Sequence, residues 1–271
     1  MAWNQGRTRI AAGALILALI AAAVVVKMEF FPSVKEDDFA LSERNLRGVA
    51  SGLVLVRPTH FARSHFDGVV TTTVRSFGKP VGRIIGRNVS FKDLIAAAYG
   101  QNAARVVLPP DAPKTNFDFL VTVRYRGRQR WQEEIRKQLG FVAGMEPHET
   151  DVLALKVENA RLPGLTVSDS DNKDNADLHD GRLYFTHVQL GSLIHILDQV
   201  LATPAVDQTG LTNHYDFSVP WDAETLQKLQ NRSTSRAVVD RILSDLGLAL
   251  KPGTTTVEML LVKRVDSPKF R

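Results

Sequence analysis

The sequence predicts an α+β fold, with an N-terminal transmembrane helix followed by two tandem βαββαββ-like repeats. The main observation is that the second half of the chain resembles the first half at a nearly constant spacing. Residues 82–95 align with residues 181–194, and Phe117-Asp118-Phe119 aligns with Tyr215-Asp216-Phe217. Such self-similarity indicates two copies of one supersecondary unit. The second observation is an uninterrupted apolar segment near the N-terminus.

The apolar segment runs from Ile10 to Val26 without a charged residue. As a helix it would be about 26 Å long, at the short end of the length that spans a bilayer. Arg7 and Arg9 precede the segment and only Lys27 follows it directly. The positive-inside rule therefore places the N-terminus in the cytoplasm.

A cleaved signal peptide is the alternative interpretation of this segment, with Ala21-Ala22-Ala23 as the cleavage site. The apolar run continues through Val24-Val25-Val26, which a cleaved segment would not need. We therefore expect a single-pass anchor in the inner (cytoplasmic) membrane. The C-terminal domain would then lie in the periplasm or otherwise outside the cytoplasm.

Composition and repeat boundaries divide the chain into six segments. They are a cytoplasmic tail (1–9), the transmembrane helix (10–26), a charged tether (27–48), the first α+β repeat (49–160), an Asp- and Asn-rich linker (161–180) and the second α+β repeat (181–268).

The first repeat contains two predicted helices, each ended by a glycine. Ser90 is the expected N-cap of a helix that ends at Gly100, with Asp93 three residues after the cap. The second helix covers residues 131–139 and ends at Gly140. Strands are predicted at residues 83–85, 106–108 and 116–123 and in a hairpin of 141–143 with 152–157.

The second repeat keeps this order of elements. Its first helix is predicted from a stripe of apolar residues at steps of three and four: Leu190, Leu193, Ile194, Leu197 and Leu201. The second helix covers residues 237–246 and ends at Gly247. Strands are predicted at residues 182–186, 205–206 and 215–219 and in a last hairpin of 248–250 with 257–265, turning at Pro252-Gly253.

The charge balance argues against a nucleic-acid partner. The formal charge is +5, but removing Arg7, Arg9 and Lys27 leaves 31 of the 34 basic residues against 29 acidic ones. A surplus of two charges is not the electrostatic footprint of a nucleic-acid-binding protein. The chain has no cysteine, which excludes disulfides and thiolate sites.

Six segments, in this order, carry a resemblance to a known family. They are LVLVRP (53–58), SFKDLIAAAYG (90–100), FDF (117–119), VDQTGLTNHYDF (206–217), DLGLAL (245–250) and VKRVDSP (262–268). Together they resemble an uncharacterised family of exported proteins that is much expanded in soil bacteria. In some members the same domain is fused to a BlaR-type membrane metallopeptidase sensor. The resemblance covers about residues 49–268 and implies no established activity.

The chain departs from that family's usual pattern in its first half. Residues 103–116 lack the Gly-x-Pro-x-Trp turn, and residues 134–140 lack the Asp-Arg-Phe of the family. Each half is also similar in topology to the short N-terminal domains of secretins and TonB-dependent receptors. Those domains are protein-contact modules, which implies a contact role here by analogy of fold alone.

Asp118 and Asp216 form the sharpest repeated constellation. In one interpretation both carboxylates line a groove between the repeats, where His187 and His214 could join them. In the other, strand alternation places the flanking aromatics in the core and each aspartate against a backbone N–H or a basic group. The alternation itself favours the second interpretation.

The histidines and aspartates do not form a recognisable metal signature. No His-x-x-x-His pair occurs on a predicted helix and there is no cysteine to complete a site. The aspartates of residues 169–180 lack the glycine and the ligand spacing of an EF-type calcium loop. We predict no metal and no cofactor.

A basic cluster is the only marked concentration of charge outside the anchor. Its members are Arg124, Arg126, Arg128, Arg130 and Trp131. Arginines and aromatics are enriched at interfaces, so the cluster is a candidate contact surface for an acidic partner or a membrane. A solvated loop leading into a helix is the alternative interpretation.

The catalytic motifs in the chain are weak. Ser76-Phe77-Gly78-Lys79 matches Ser-x-x-Lys, but the companion Ser-Asp-Asn and Lys-Thr-Gly elements are missing. We therefore expect a non-enzymatic protein-interaction domain: a subunit, scaffold or sensor that binds another envelope protein or membrane complex. It would bind through sheet edges or the surface between the repeats. The alternative is a periplasmic hydrolase or small-ligand-binding protein with a site between the repeats.

Overall fold

The protein is a mixed α+β chain. The computed structural model describes residues 54–59, 68–76, 79–122, 127–169 and 175–265. The strands are β1 (Val54–Pro58), β2 (Gly68–Ser76), β3 (Lys79–Val89), β4 (Val106–Val107), β5 (Phe117–Val121), β6 (Phe141–Val157), β7 (Thr166–Val167), β8 (Asn175–His179), β9 (Arg182–Gln189), β10 (Ala205–Asp207), β11 (His214–Pro220) and β12 (Leu248–Arg264). The helices are α1 (Phe91–Tyr99), α2 (Gly127–Leu139), α3 (Gly191–Leu201), α4 (Ala223–Gln230) and α5 (Arg232–Asp245), with a 3₁₀ turn at Ala103–Arg105.

The predicted transmembrane segment at residues 10–26 lies outside the described residues, as does the tether. Among the helices of the described ranges, none combines the length and the apolar character that crossing a bilayer requires.

The described residues of the chain form two compact units. Of the described residues, those between 54 and 88 and between 118 and 130 belong to one unit, and those between 89 and 117 and between 131 and 265 belong to the other. The predicted first repeat, 49–160, therefore contributes to both units. Its strands β4 and β6 pair with strands of the second half.

Sheet 1, in the first unit, has the strand order β1-β5-β3-β2. β5 is buried at all five positions, and its Phe119 and Leu120 are completely inaccessible. Gly86 on β3 lies directly against Phe119, because a Cβ at this glycine would overlap the phenylalanine ring. A close approach of this kind is a specific reason for glycine inside a strand.

Sheet 2, in the second unit, is built on two long strands. β6 and β12 are each 17 residues long and pair antiparallel along their whole length, from Phe141 opposite Arg264 to Val157 opposite Leu248. The two hairpins predicted in these segments are therefore wrong. Each strand satisfies its backbone hydrogen bonds with a distant partner, so neither needs a local turn, and Pro252-Gly253 lies within β12.

Sheet 3, also in the second unit, has the order β7-β11-β9-β8. β7 and β8 fall within residues 161–180, so the predicted linker contains two edge strands. Every residue of both strands is exposed, which explains why their composition is that of a solvated loop. The inner face of the sheet packs on α3 and α5 through Phe185, Phe217 and Leu243.

Apart from one additional helix in the second half, the described elements follow the same order in the two halves of the chain. β3-α1-β4-β5-α2-β6 corresponds to β9-α3-β10-β11-α4-α5-β12, and the strand order of sheet 1 corresponds position by position to that of sheet 3. In sheet 2 each half of the chain pairs one strand with the long strand of the other half. β4 of the first half pairs parallel with β12, and β10 of the second half pairs parallel with β6. Likewise the N–H of Glu158 donates to the carbonyl of Gly247, and that of Val265 donates to the carbonyl of Gly140.

The predicted helix caps are present. The Ser90 side chain accepts the N–H of Asp93 at 3.1 Å and begins α1, which ends at Gly100 in the left-handed conformation. Gly140 and Gly247 follow α2 and α5 with φ of 74° and 80°, as expected for residues after a helix C-terminus. The second half differs in having the additional helix α4, which begins at the N-cap Asp222.

Candidate functional site

An apolar pocket opens in the second unit between sheet 3 and helices α3, α4 and α5. Its volume is about 70 Å³ and every lining residue is hydrophobic. The lining residues are Leu183, Phe185, Leu193, Ile196, Leu197, Val200, Val219, Trp221, Leu229, Val239, Ile242, Leu243 and Leu246. For comparison, an enclosed apolar cavity of about 150 Å³ is large enough for benzene. The pocket therefore suits a group the size of an aliphatic side chain.

The pocket is accessible because part of its wall is only half-buried. Leu183, Ile196, Val200, Trp221, Leu229 and Ile242 are all partly buried residues that pack against the core of this unit. Trp221 and Leu229 belong to the segment around α4, a helix without a counterpart among the described residues of the first half. This helix was not predicted from the sequence, although Asp222 followed by Glu224 is a recognisable helix start.

A charged cleft of about 400 Å³ adjoins the apolar pocket and shares Ile242 with it. Its charged lining residues are Arg182, Asp222, Glu224, Lys228, Arg241 and Asp245. Lys228 and Glu224 form an ion pair at 2.5 Å, and Arg182 donates to the Oγ of Ser218 at 3.0 Å. Pocket and cleft together present an apolar centre with a rim of both charge signs.

Asp222 is held as a carboxylate by its place at the start of α4. Its Oδ1 accepts the backbone N–H of Thr225 at 2.8 Å. This backbone hydrogen bond, followed by one from the Thr225 side chain, lowers the pKa of Asp222 below its ordinary value of 3.8. Ionised Asp222 therefore stabilises the folded state fully at pH values above its ordinary pKa. This stabilisation is lost as the pH falls through the lowered pKa of the folded state.

Asp216, His187 and His214 come together on sheet 3. The backbone N–H of His187, a residue in the left-handed region with φ of 57°, donates to Oδ1 of Asp216 at 2.8 Å. The rings of His187 and His214 are stacked at 4.1 Å between centroids and 8° between planes. In stacked parallel rings the nitrogen lone pairs lie in two parallel planes and point in directions that do not meet. The two imidazoles are therefore not arranged to bind one metal ion together.

Asp118 has the equivalent backbone contact in the first unit. Its Oδ1 accepts the N–H of Asn88, which also has a positive φ, and the hydroxyl of Thr59, both at 3.0 Å. Arg57 lies 3.7 Å from its Oδ2. Both repeated aspartates thus accept a backbone N–H from a left-handed residue on the neighbouring strand. This is the contact expected from the structural interpretation.

The basic cluster is only partly described. Arg124 and Arg126 lie outside the described residues, whereas Arg128 and Arg130 are exposed at the start of α2. Trp131 was included in the predicted contact surface, and this was wrong because its side chain is completely buried. The residue serves the core, since it faces inward on α2 together with Ile135.

The residues that the structure describes include no metal centre. Within the described ranges, no group of three or more His, Cys, Asp or Glu side chains is close enough to hold an ion. His195, on the other side of the α3 stripe, contributes its backbone carbonyl to the Asn102 side chain at 3.3 Å.

A buried ion pair that was not predicted from the sequence connects α3 to β10. Asp198 is 1% exposed, accepts from Nε of Arg105 at 2.5 Å and accepts the N–H of Ala205 at 2.6 Å. Arg105 also donates to the carbonyl of Ala205 at 2.7 Å. Asp198 follows Leu197 and precedes Leu201 in the apolar stripe of α3, which is the signal that could have identified it.

The fold and the site define an α+β protein with an apolar pocket beside a charged cleft. A family of proteins of unknown function, DUF3738, matches residues 92–265. Because this match covers more than half of the chain, the chain belongs to that family. Comparisons with curated proteins and with solved structures gave no significant match.

Proposed function

We propose that this chain is a membrane-anchored, extracytoplasmic interaction domain whose apolar pocket receives a side chain of another envelope protein. The observation that carries this proposal is the partly open pocket with a wholly hydrophobic lining and a charged rim. Interfaces are organised around such anchor pockets, which an aromatic or aliphatic side chain of the partner fills. The proposed role is that of a subunit, scaffold or sensor.

The pocket favours a protein partner by its size and surroundings. A volume of about 70 Å³ accommodates one aliphatic side chain. The adjoining cleft offers Arg182 and Arg241 as well as Asp245, so a partner segment can make polar contacts of both signs beside the anchor. A core of apolar contact with a polar rim is the usual anatomy of a protein interface.

The architecture is best explained by duplication of one βαββαβ unit, with the long final strand of each copy exchanged. The matched strand orders of sheets 1 and 3 support this proposal, as do the reciprocal pairings in sheet 2. The second copy has acquired α4, and with it Trp221 and Leu229 of the pocket. The binding site is therefore a property of one copy.

The membrane location is proposed from the sequence alone. The uncharged segment at residues 10–26 and the preceding arginines support a single-pass anchor in the inner membrane with the folded domain outside the cytoplasm. An anchored domain of this kind meets its partner within the same membrane plane or envelope space.

The proposal predicts that Leu229→Lys releases the partner. The full chain, purified from native membranes in mild detergent, should be found in the membrane fraction with one protein bound. A lysine at Leu229 places a charge in the apolar pocket, so we expect at least a tenfold loss of bound partner, as for a hot-spot residue. Quantitative mass spectrometry of the purified material measures this loss.

Leu226→Lys is the matched control for that variant. Leu226 lies on the same helix and is also half-buried, but it does not line the pocket. Circular dichroism must show both variants folded. If the two variants retain equal amounts of the partner, the partner does not bind at the pocket. A bound small molecule in place of a protein would favour the ligand-binding alternative.

A further inference from the structure

The charged residues that line the cleft beside the apolar pocket differ in how far the folded chain already pairs them. Lys228 and Glu224 form an ion pair with each other, and the carboxylate of Asp222 caps the start of α4. These three side chains are therefore occupied by contacts within α4. The other charged lining residues form no ion pair within the part of the chain that the structure describes. They are Arg182, Arg241 and Asp245.

Arg241 is the most available charged group of the cleft. Its side chain is exposed on α5, and no hydrogen bond or ion pair joins it to another residue of the described ranges. Asp245 follows four residues later on the same helix, yet the two do not form an ion pair. A basic residue followed by an acidic one is the weaker order for such a helical pair. The five N–H donors of this guanidinium are thus free to bind a partner.

Arg182 supplies a second guanidinium to the same cleft. Its Nε and Nη2 donate to the Oγ of Ser218 at 3.2 and 3.0 Å, and Nη2 also donates to the Ser218 carbonyl at 3.2 Å. Because Ser218 is neutral, these hydrogen bonds orient the guanidinium without supplying a counterion. The cleft therefore presents two guanidinium groups that form no ion pair with a described carboxylate.

The face of α5 that lines the cleft is more open than its counterpart on α2. Counted back from the glycine after each helix, Val238 corresponds to Trp131 and Ile242 corresponds to Ile135. Trp131 and Ile135 are completely buried, whereas Val238 and Ile242 are half-buried and line the cleft. Apolar surface left open at a charged rim is typical of an interaction site.

The last residue of a polypeptide matches this arrangement of groups. From one α-carbon it presents a side chain, an N–H donor and a carboxylate. The pocket suits the side chain, Arg241 suits the carboxylate, and Asp245 offers an acceptor for the N–H. Ile242 lines both the pocket and the cleft, so these groups are adjacent. An internal residue presents a neutral carbonyl instead and would leave the charge of Arg241 unpaired.

We propose that the partner is bound by its C-terminus, with an aliphatic last side chain in the apolar pocket and the terminal carboxylate at Arg241 and Arg182. This inference rests on the proposed function and adds which part of the partner is recognised. Guanidinium groups bind carboxylates through charge-assisted hydrogen bonds, which are frequently paired. Capture of a chain terminus is a recurring mode of peptide recognition.

The test measures the binding of short peptides to the full chain in mild detergent, labelled with 5-fluorotryptophan. Trp221 lines the pocket, so its fluorine NMR signal, assigned with Trp221→Phe, reports occupation of the pocket. The probe is the peptide Gly-Ser-Gly-Ser-Leu with a free terminal carboxylate. The same peptide with a terminal amide should bind at least tenfold more weakly, because it loses the charge-assisted hydrogen bonds.

Arg241→Gln should remove this preference for the free carboxylate. The affinity for the acid is expected to fall to that for the amide, whereas the affinity for the amide stays unchanged. Arg136→Gln is the matched control, since Arg136 is exposed on α2 and does not line the cleft. An equal loss of preference in both variants would indicate an effect of overall charge and overturn the proposal.

Further outcomes separate this inference from the proposed function. If the amide, or a peptide with leucine at an internal position, shifts the Trp221 signal at the same concentrations as the acid, recognition of the C-terminus is overturned and binding at the pocket stands. If free leucine binds as tightly as the peptide, the site takes a small molecule and the proposal is overturned. If no peptide shifts the signal, recognition of the C-terminus is likewise overturned, and the loss of partner expected for Leu229→Lys tests the proposed function separately.

Discussion

Asp198→Ala is expected to lower the free energy of unfolding of the second unit by about 3–5 kcal/mol, the usual effect of breaking a buried ion pair. The carboxylate is 1% exposed and accepts hydrogen bonds from both Arg105 and the N–H of Ala205. Its removal leaves a partly buried guanidinium without its anion and a buried N–H without an acceptor. Chemical denaturation followed by circular dichroism measures the change.

Asp240→Ala is the matched control for this experiment. Asp240 pairs with Arg236 at 2.8 Å on α5, but both side chains are more than a third exposed. Exposed pairs contribute about 0–1 kcal/mol, because water and salt screen them. If the two variants lose the same free energy of unfolding, burial of the Asp198 ion pair does not make it more stabilising than an exposed pair.

Gly86→Ala is expected to destabilise the first unit by about 1–3 kcal/mol through overpacking. A Cβ at this position would overlap the ring of Phe119, which is completely buried and cannot move into solvent. Phe119→Leu should partly restore the loss in the double variant, because the smaller side chain makes room. Thermal or chemical unfolding of the original chain, the two single variants and the double variant gives the coupling energy between residues 86 and 119.

Gly82→Ala separates this clash from the general effect of glycine replacement. Gly82 is on the same strand and exposed, and a Cβ there would meet no atom within 4 Å. This variant should be as stable as the original chain or slightly more so, since glycine is unfavourable in strands. A loss equal to that of Gly86→Ala would mean that contact with Phe119 is not the cause.

Local sequence signals were sufficient to predict the elements that depend on local chemistry. Ser90 with Asp93 predicted the start of α1, and Gly140 and Gly247 predicted the ends of helices, because caps are decided within a few residues. The structural interpretation of Asp118 and Asp216 expected each carboxylate to contact a backbone N–H or a basic group, and each accepts a backbone N–H.

Features that depend on distant partners could not be predicted. Pro252-Gly253 is a strong turn signal, yet β12 continues through it because β6 supplies a partner at every position. The exchange of β4 and β10 between the two halves has no local signature. The exposed edge strand β8 resembles a loop in composition, because neither of its faces is buried.

The candidate site shows the same division. The predicted stripe on α3 contains Leu193 and Leu197, which line the pocket, but not Ile196 and Val200 of the same wall. Trp221 and Leu229 were not predicted as pocket residues, because the helix α4 was not predicted. The pocket could not be predicted without this wall. Trp131 was assigned to a surface because arginines surround it in sequence, whereas the periodicity of α2 places it inside.

Site-specific photo-cross-linking from the pocket is the most direct measurement of the proposed function. A photoreactive residue replaces Ile242, which lines both the apolar pocket and the charged cleft, and the full chain is irradiated in its native membrane. The account predicts one covalent adduct with another envelope protein. It also predicts no such adduct from Leu178, which is 60% exposed on β8. An adduct from Leu178 but not from Ile242 would contradict binding at the pocket.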